Sequence, residues 1–303
     1  MIIHRSRCSG ASFAIISCLD GVGVEWRSLV PNRSVRSRQA TELQRLTRLP
    51  YSRAAALLRD DRGRLEPTRD QAQLEGRVFD GFRSLAYGPT PGTVTASIAR
   101  VEPARSSITI HPGTGFDLSD LAAGVTPVFE DDSFVNGIPA LRLASHPLGA
   151  TLHRPGIDAA VIFAGIRFSA WLKTLRSDDP AVRFVPLGMI TAQERDALGS
   201  EERRCSVFSS LLLRRVGMLD ALRATSIHMY GSHRGRILEV IQPHVDPAGR
   251  EAFIQDMALS GLRLAAVRPL GGESLLLDFA TDDERDGAFS VRLVHRPLDQ
   301  DGL

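Results

Sequence analysis

Among the side chains that could do chemistry in this chain, arginine dominates. Of 37 Lys and Arg residues, Lys173 alone is a lysine. The planar, permanently charged guanidinium matches carboxylate and phosphate geometry bidentately, so an arginine-rich surface suits anion recognition. A GC-rich coding bias would give the same excess without any function. The distribution is more telling than the count. Residues 1–66 hold 12 Arg against six acids, whereas residues 67–303 hold 25 cations against 29 acids, within a net charge of only +2. Such asymmetry points to a polyanionic partner for the basic part, or to a solvated basic surface.

The basic part has a definite outline. Arg36, Arg38, Arg45, Arg48 and Arg53, followed by Arg59 and Arg62, surround two short helical patterns, with Ser37, Gln39, Gln44 and Ser52 among them. Leu43, Leu46 and Leu49 form the apolar edge of the first pattern. Pro50 suits the opening turn of the second, whose expected inner face is Tyr51, Ala54, Ala55 and Leu58. A tight turn between short helices is a helix-turn-helix outline. Arginines on it could neutralise phosphates while a helix reads bases in a groove. The five arginines from Arg36 to Arg53 are therefore the candidate nucleic-acid contacts. An ordinary helical hairpin with arginine on its wet face is the competing reading.

A second candidate lies at Tyr230-Gly231-Ser232-His233-Arg234-Gly235-Arg236, after the run MLDALRATSIHM. It resembles the Gly-Ser motif of polymerase-β-type nucleotidyltransferases. That resemblance implies a phosphate held by Gly231, Ser232 and Arg234 within a domain at 201–303. It also implies an Asp-x-Asp pair on the following strand for catalytic metal ions. Here that strand reads Arg236-Ile237-Leu238-Glu239-Val240-Ile241-Gln242, and the pair is missing. A degenerate phosphate-binding domain is thus the alternative function, and a glycine turn in a hairpin is the plain structural one.

Other groups point away from chemistry. His228, His233 and His244, and His146 with His153, cluster in sequence without H-x3-H or H-E-x-x-H spacing. Cys8, Cys18 and Cys205 have no metal-ligand spacing, and three cysteines suit reduced thiols in a cytoplasm better than a disulfide framework. Asp282-Asp283-Glu284-Arg285-Asp286 lacks the spacing of a calcium loop and reads as a polar turn. No G-x-S-x-G, Walker A or G-x-G-x-x-G pattern occurs. No catalytic residue, metal or cofactor is therefore assigned, and the balance falls towards a protein that is not an enzyme.

The elements that must position these residues follow from periodicity. Residues 1–38 form an uncertain N-terminal segment. Phe13–Cys18 and Val22–Trp26 could make a small hairpin, and Ile15-Ile16-Ser17-Cys18 is similar to a bacterial lipoprotein signal preceded by a very short apolar run. Thr68 with Gln71 opens a third helix along Leu74, Val78, Phe82 and Leu85. Strands are expected at Val94–Val101 and Ser107–His111, and a capped helix at Asp117–Ala123. A hairpin is expected at Asn136-Gly137 between Val125–Val135 and Ile138–Leu143. Two long helices are expected over Ile157–Leu175 and Glu201–Ala224, with Thr191 and Glu194 capping ahead of the second. The last 80 residues read as strands at Ile227–Tyr230 and Ile237–Gln242, then a helix from Asp246-Pro247 to Ser260. Three further strands are expected at Leu262–Val267, Ser274–Ala280 and Ala288–His295.

The middle segment carries SITIHP, VTPVF and VNGIPALRLASHP between Ser106 and Leu152. In hydrophobic pattern it resembles the effector half of AbiEi-type antitoxins, over about 50 residues. That resemblance implies a DNA-binding helical part ahead of the β-rich one, and a regulatory role.

The expected class is α+β: a helical N-terminal part, a β-rich middle, two long helices and a small C-terminal α+β unit. The domain limits are drawn at 1–38, 39–225 and 226–303. The leading functional expectation is a non-enzymatic, cytoplasmic regulatory protein that contacts DNA through its basic helices. The phosphate-binding domain and a protein-interaction module with a protein partner are the alternatives. No stretch is long enough to span a membrane.

Overall fold

The first helix, α1 (Val35–Thr47), buries Ala40, Leu43 and Leu46 at helical spacing and stops where Arg48 turns left-handed, at φ 60°. Leu49 and Pro50 complete a three-residue turn, and the Pro50 carbonyl accepts from the Arg53 and Ala54 amides at 2.9 and 3.0 Å as α2 (Tyr51–Arg59) begins. Leu43, Leu49, Ala54 and Leu57 form a small apolar cluster of their own, with Leu58 against it. The buried stripe of α2 is thus rotated from the expected one: Leu57 is inside, and Tyr51 is exposed. The structure, a computed structural model, describes residues 35–59, 66–82, 97–176, 181–201, 207–232, 235–280 and 288–296. The expected N-terminal hairpin, the lipoprotein-like run, Arg62, Arg234, His233, Cys205 and the acidic turn at 282–286 lie outside them.

Thr68 caps α3 (Arg69–Gly81) by accepting from the Gln71 amide, as the sequence implied. The hairpin of β1 (Ile98–Pro103) and β2 (Ser107–Pro112) follows, then α4 (Leu118–Val125), capped by Asp117. The next turn is not where Asn-Gly placed it. Strands β3 (Val128–Glu130) and β4 (Ser133–Asn136) are joined by Asp131 and Asp132, both left-handed at φ 47° and 61°, the backbone of a two-residue type I′ turn. Gly137 is needed for another reason: at φ 89°, a Cβ there would lie 2.1 Å from the Thr126 carbonyl oxygen.

Strands β5 (Arg142–His146) and β6 (Gly149–His153) pair antiparallel. The segment expected to be the clearest helix then divides. Ala160–Ala164 is strand β7, and only Phe168–Thr174 is helical, as α5. Val161, Ile162 and Phe163 are buried on both sides of a central strand, where a continuous apolar run satisfies helical spacing by accident. Gly165, at φ 78°, separates the two. After β8 (Val182–Phe184) comes α6 (Ala192–Glu201), and within the second expected long helix, Glu201–Ala224, the described residues form α7 (Val207–Arg214) and then a 3-10 helix at Val216–Leu222.

The C-terminal stretch follows its signals closely. It consists of β9 (Ser226–Ser232), β10 (Gly235–Gln242), α8 (Pro247–Leu259), β11 (Arg263–Gly271), β12 (Ser274–Ala280) and β13 (Ala288–His295). The Asp246 carboxylate caps α8 through the Gly249 amide, and Gly261 at φ 85° ends it.

The protein is therefore α+β. One sheet has the order β1-β2-β7-β6-β5, a second β11-β12-β13-β10-β9, and a third β4-β3-β8. In the second sheet the central pair β10 and β13 runs parallel, and every other pairing is antiparallel. Alternating residues Leu277, Phe279, Phe289, Val291, Leu238 and Val240 are buried in one cluster with Phe253 and Met257 of α8, the Phe253 and Phe279 rings meeting edge-on with centroids 6.4 Å apart. The main apolar cluster takes in residues from Leu46 to Leu293, and Ser34–Leu303 form one compact unit. Among the described residues, no helix is long and apolar enough to cross a membrane.

Candidate nucleic-acid interface

The structure sorts the five candidate arginines into two groups. Arg36 and Arg38 stand exposed on the first turn of α1 and make no ion pair with a described carboxylate, and Arg59 at the end of α2 is like them. Between them, the Ser37 and Tyr51 hydroxyls meet at 3.1 Å, tying the start of α1 to the start of α2. Ser52 and Gln39 are exposed beside these groups.

The other three grip carboxylates far away in the chain. Arg45 holds Asp256 of α8 bidentately, at 2.6 and 2.5 Å, and Glu42 of its own helix at 2.6 Å. These bonds, to Asp256 first and Glu42 second, hold the guanidinium proton more tightly than usual. Arg48 pairs through Nε and Nη2 with Asp220 and donates to the Ile98 carbonyl at 2.6 Å. The left-handed backbone of Arg48 costs on the order of 1 kcal/mol, which these bonds offset. Arg53 donates twice to Glu102 Oε2 in β1, at 3.0 and 2.6 Å.

Glu102 has a second partner. Arg100 Nη2 meets His111 Nδ1 at 3.2 Å, so Nδ1 accepts and the Nε2–H donates to Glu102 Oε1 at 3.0 Å. The His111 bond, helped by Arg53, outweighs burial and holds the Glu102 carboxyl down at about 2.

Sequence reading missed two further arginines because their partners are distant. Arg214 and Glu75 are both fully buried. Glu75 also receives Gln71 Nε2 at 2.7 Å and the Ser210 hydroxyl at 2.6 Å, and Arg214 donates to the Ala104 carbonyl at 2.7 Å. Gln71 exchanges bonds with the Ala160 backbone at 2.8 and 2.9 Å. Its side chain, expected to complete the cap of α3, instead joins α3 to the central strand β7. Arg142 and Glu194 form the other buried pair, at 2.8 Å through both nitrogens. Arg142 also donates to the Gly188 and Met189 carbonyls, and Glu194 accepts the amides of Ala140 and Thr191. Thr191 and Glu194 cap α6 reciprocally, as their spacing implied. Burial pushes the Glu194 carboxyl up, and its bonds to Arg142 and the two amides bring it below the ordinary value.

Gly231 and Ser232 do not precede a helix. They end β9 in register with Arg236 and Gly235 of β10, so the chain returns directly as the next strand. A phosphate cradle of the kind the resemblance implied draws on amides aimed at a ligand from a helix start or a glycine-rich turn. Strand β10 carries Glu239, which pairs with Arg292 at 3.2 Å. The histidines are engaged separately: His228 with Ser226 at 2.7 Å, His146 with the Leu148 amide at 3.2 Å. His153 titrates lower than usual through burial and then the charge of Arg142. Among the described residues, no group of three or more His, Cys, Asp or Glu could hold a metal ion.

Comparison of the chain with protein-family models, with curated proteins and with solved structures finds no match.

Proposed function

We propose that this chain is a non-enzymatic nucleic-acid-binding protein of the cytoplasm, with a regulatory role, that contacts duplex DNA through the outer side of α1 and α2. The observation that carries this reading is the placement of Arg36, Arg38 and Arg59. They are exposed on a helix pair with its own small apolar cluster, and they have no described carboxylate partner. Such cations release counterions when they meet phosphates, which drives association and makes it fall steeply with salt. The fork of arginine and the neighbouring hydroxyls of Ser37, Tyr51 and Ser52 add directional donors for phosphate oxygens.

Fluorescence anisotropy with a labelled duplex at two salt concentrations tests the proposal. The combined variant Arg36→Glu, Arg38→Glu, Arg59→Glu should lose at least about tenfold in affinity at low salt and most of its salt slope. Unchanged affinity in a variant that still folds would reject this surface.

A further inference from the structure

Resting on that reading, we infer that Arg53 is a further phosphate contact, held by Glu102 until nucleic acid takes its place. Carboxylate and phosphate oxygens offer the same bidentate acceptor geometry to a guanidinium, so either can satisfy Arg53. What decides which arginines can change partner is how exposed the guanidinium is and what the carboxylate left behind retains.

Arg45 cannot leave cheaply. The side chain of Asp256 is only 7% exposed, and without Arg45 a carboxylate would stand stranded in a poorly solvated position. Arg48 is fixed from its own side: it is 16% exposed, bonded to the Ile98 carbonyl, and set in a left-handed turn. Arg53 differs on both counts. Its side chain is 53% exposed, and Glu102 keeps the His111 Nε2–H at 3.0 Å when Arg53 departs. His111 is in turn oriented by Arg100. The exchange needs only a side-chain rotation on the first turn of α2, beside Tyr51 and Ser52. Arg53's half of the pair is solvated while Glu102, 16% exposed, keeps a second donor, so the pair contributes little and a polyanion can displace it.

The experiment is a double-mutant cycle on duplex binding across salt concentrations, using the full chain. Glu102→Gln should tighten binding about two- to fivefold, the range set by an exposed ion pair. Arg53→Ala should weaken it and lower the salt slope by about one phosphate contact. In the Arg53→Ala background, Glu102→Gln should give no gain. Glu102→Asp, which keeps the charge, should not show the gain of Glu102→Gln, and melting curves confirm that each variant folds. An equal gain from Glu102→Gln with and without Arg53 would overturn the inference, since removal of any negative charge would then suffice. So would an unchanged salt slope in Arg53→Ala. Either result with intact wild-type binding leaves the binding surface standing, whereas absent wild-type binding at low salt rejects that surface itself.

Discussion

Two regions of this molecule use the same pair of chemical groups for opposite ends. In the interior, Arg214 with Glu75 and Arg142 with Glu194 are sealed from water, and each set of bonds is nearly complete. On the α1–α2 layer, Arg45, Arg48 and Arg53 grip Asp256, Asp220 and Glu102 at the surface or close to it. Breaking a buried pair leaves an uncompensated charge in low dielectric, whereas a surface pair exchanges partners with water or another anion at small cost. The lesson is that burial on either side of a pair, of the carboxylate in Arg45–Asp256 or of the arginine in Arg48–Asp220, separates a structural clamp from a potential anion contact.

Breaking the interior pair should give the largest effect. Arg214→Met strands Glu75 and should cost about 3–5 kcal/mol in denaturant unfolding. Adding Glu75→Leu should recover more than half of that loss, because two apolar groups can replace a pair that one cannot. A double variant as unstable as the single would mean that the bonds to the Ala104 carbonyl and Ser210 dominate.

Glu194→Gln should follow, at about 2–3 kcal/mol, since Arg142 would keep its carbonyl acceptors but lose its counter-charge. The same change should speed proteolysis near Met189, which is 91% exposed on the loop that Arg142 holds. Next comes Arg45→Ala, expected to cost about 1–2 kcal/mol because Asp256 is largely covered.

Arg53→Ala should be smallest, below about 1 kcal/mol in chemical unfolding. Its partner adds a pH signature. The Glu102 carboxyl sits at about 2 in the folded protein against an ordinary 4.5. Its contribution to stability is therefore complete above pH 4.5 and is lost as pH falls towards 2. The stability difference between wild type and Glu102→Gln should shrink across that interval. A difference that stays constant would show that Glu102 does not depend on its charge.

How far the sequence could show this depends on how local each signal is. Asp246-Pro247, Gly261 and the alternating strands after it act within a few residues, and the C-terminal sheet formed where they placed it. Thr68, Asp117 and the Thr191–Glu194 box cap helices for the same reason. Ile157–Leu175 carries helical spacing yet holds β7, because a central strand buried on both faces has no polar side to reveal its period. Asn136-Gly137 looked like a hairpin turn, yet Asp131-Asp132 turns the chain and Gly137 packs against Thr126. The arginines could be found as a basic cluster, but their partners could not. Glu102, Asp220 and Asp256 stand 49, 172 and 211 residues away from Arg53, Arg48 and Arg45.

The most direct test of the account is duplex affinity measured at about 50 and 200 mM salt for wild type and for the charge-reversed variant at Arg36, Arg38 and Arg59. The account predicts wild-type binding that weakens by at least about tenfold across that range, and little binding by the variant at either salt. Equal binding by the two proteins, or none by wild type at the lower salt, would contradict it and leave the outer layer of α1 and α2 an ordinary solvated surface.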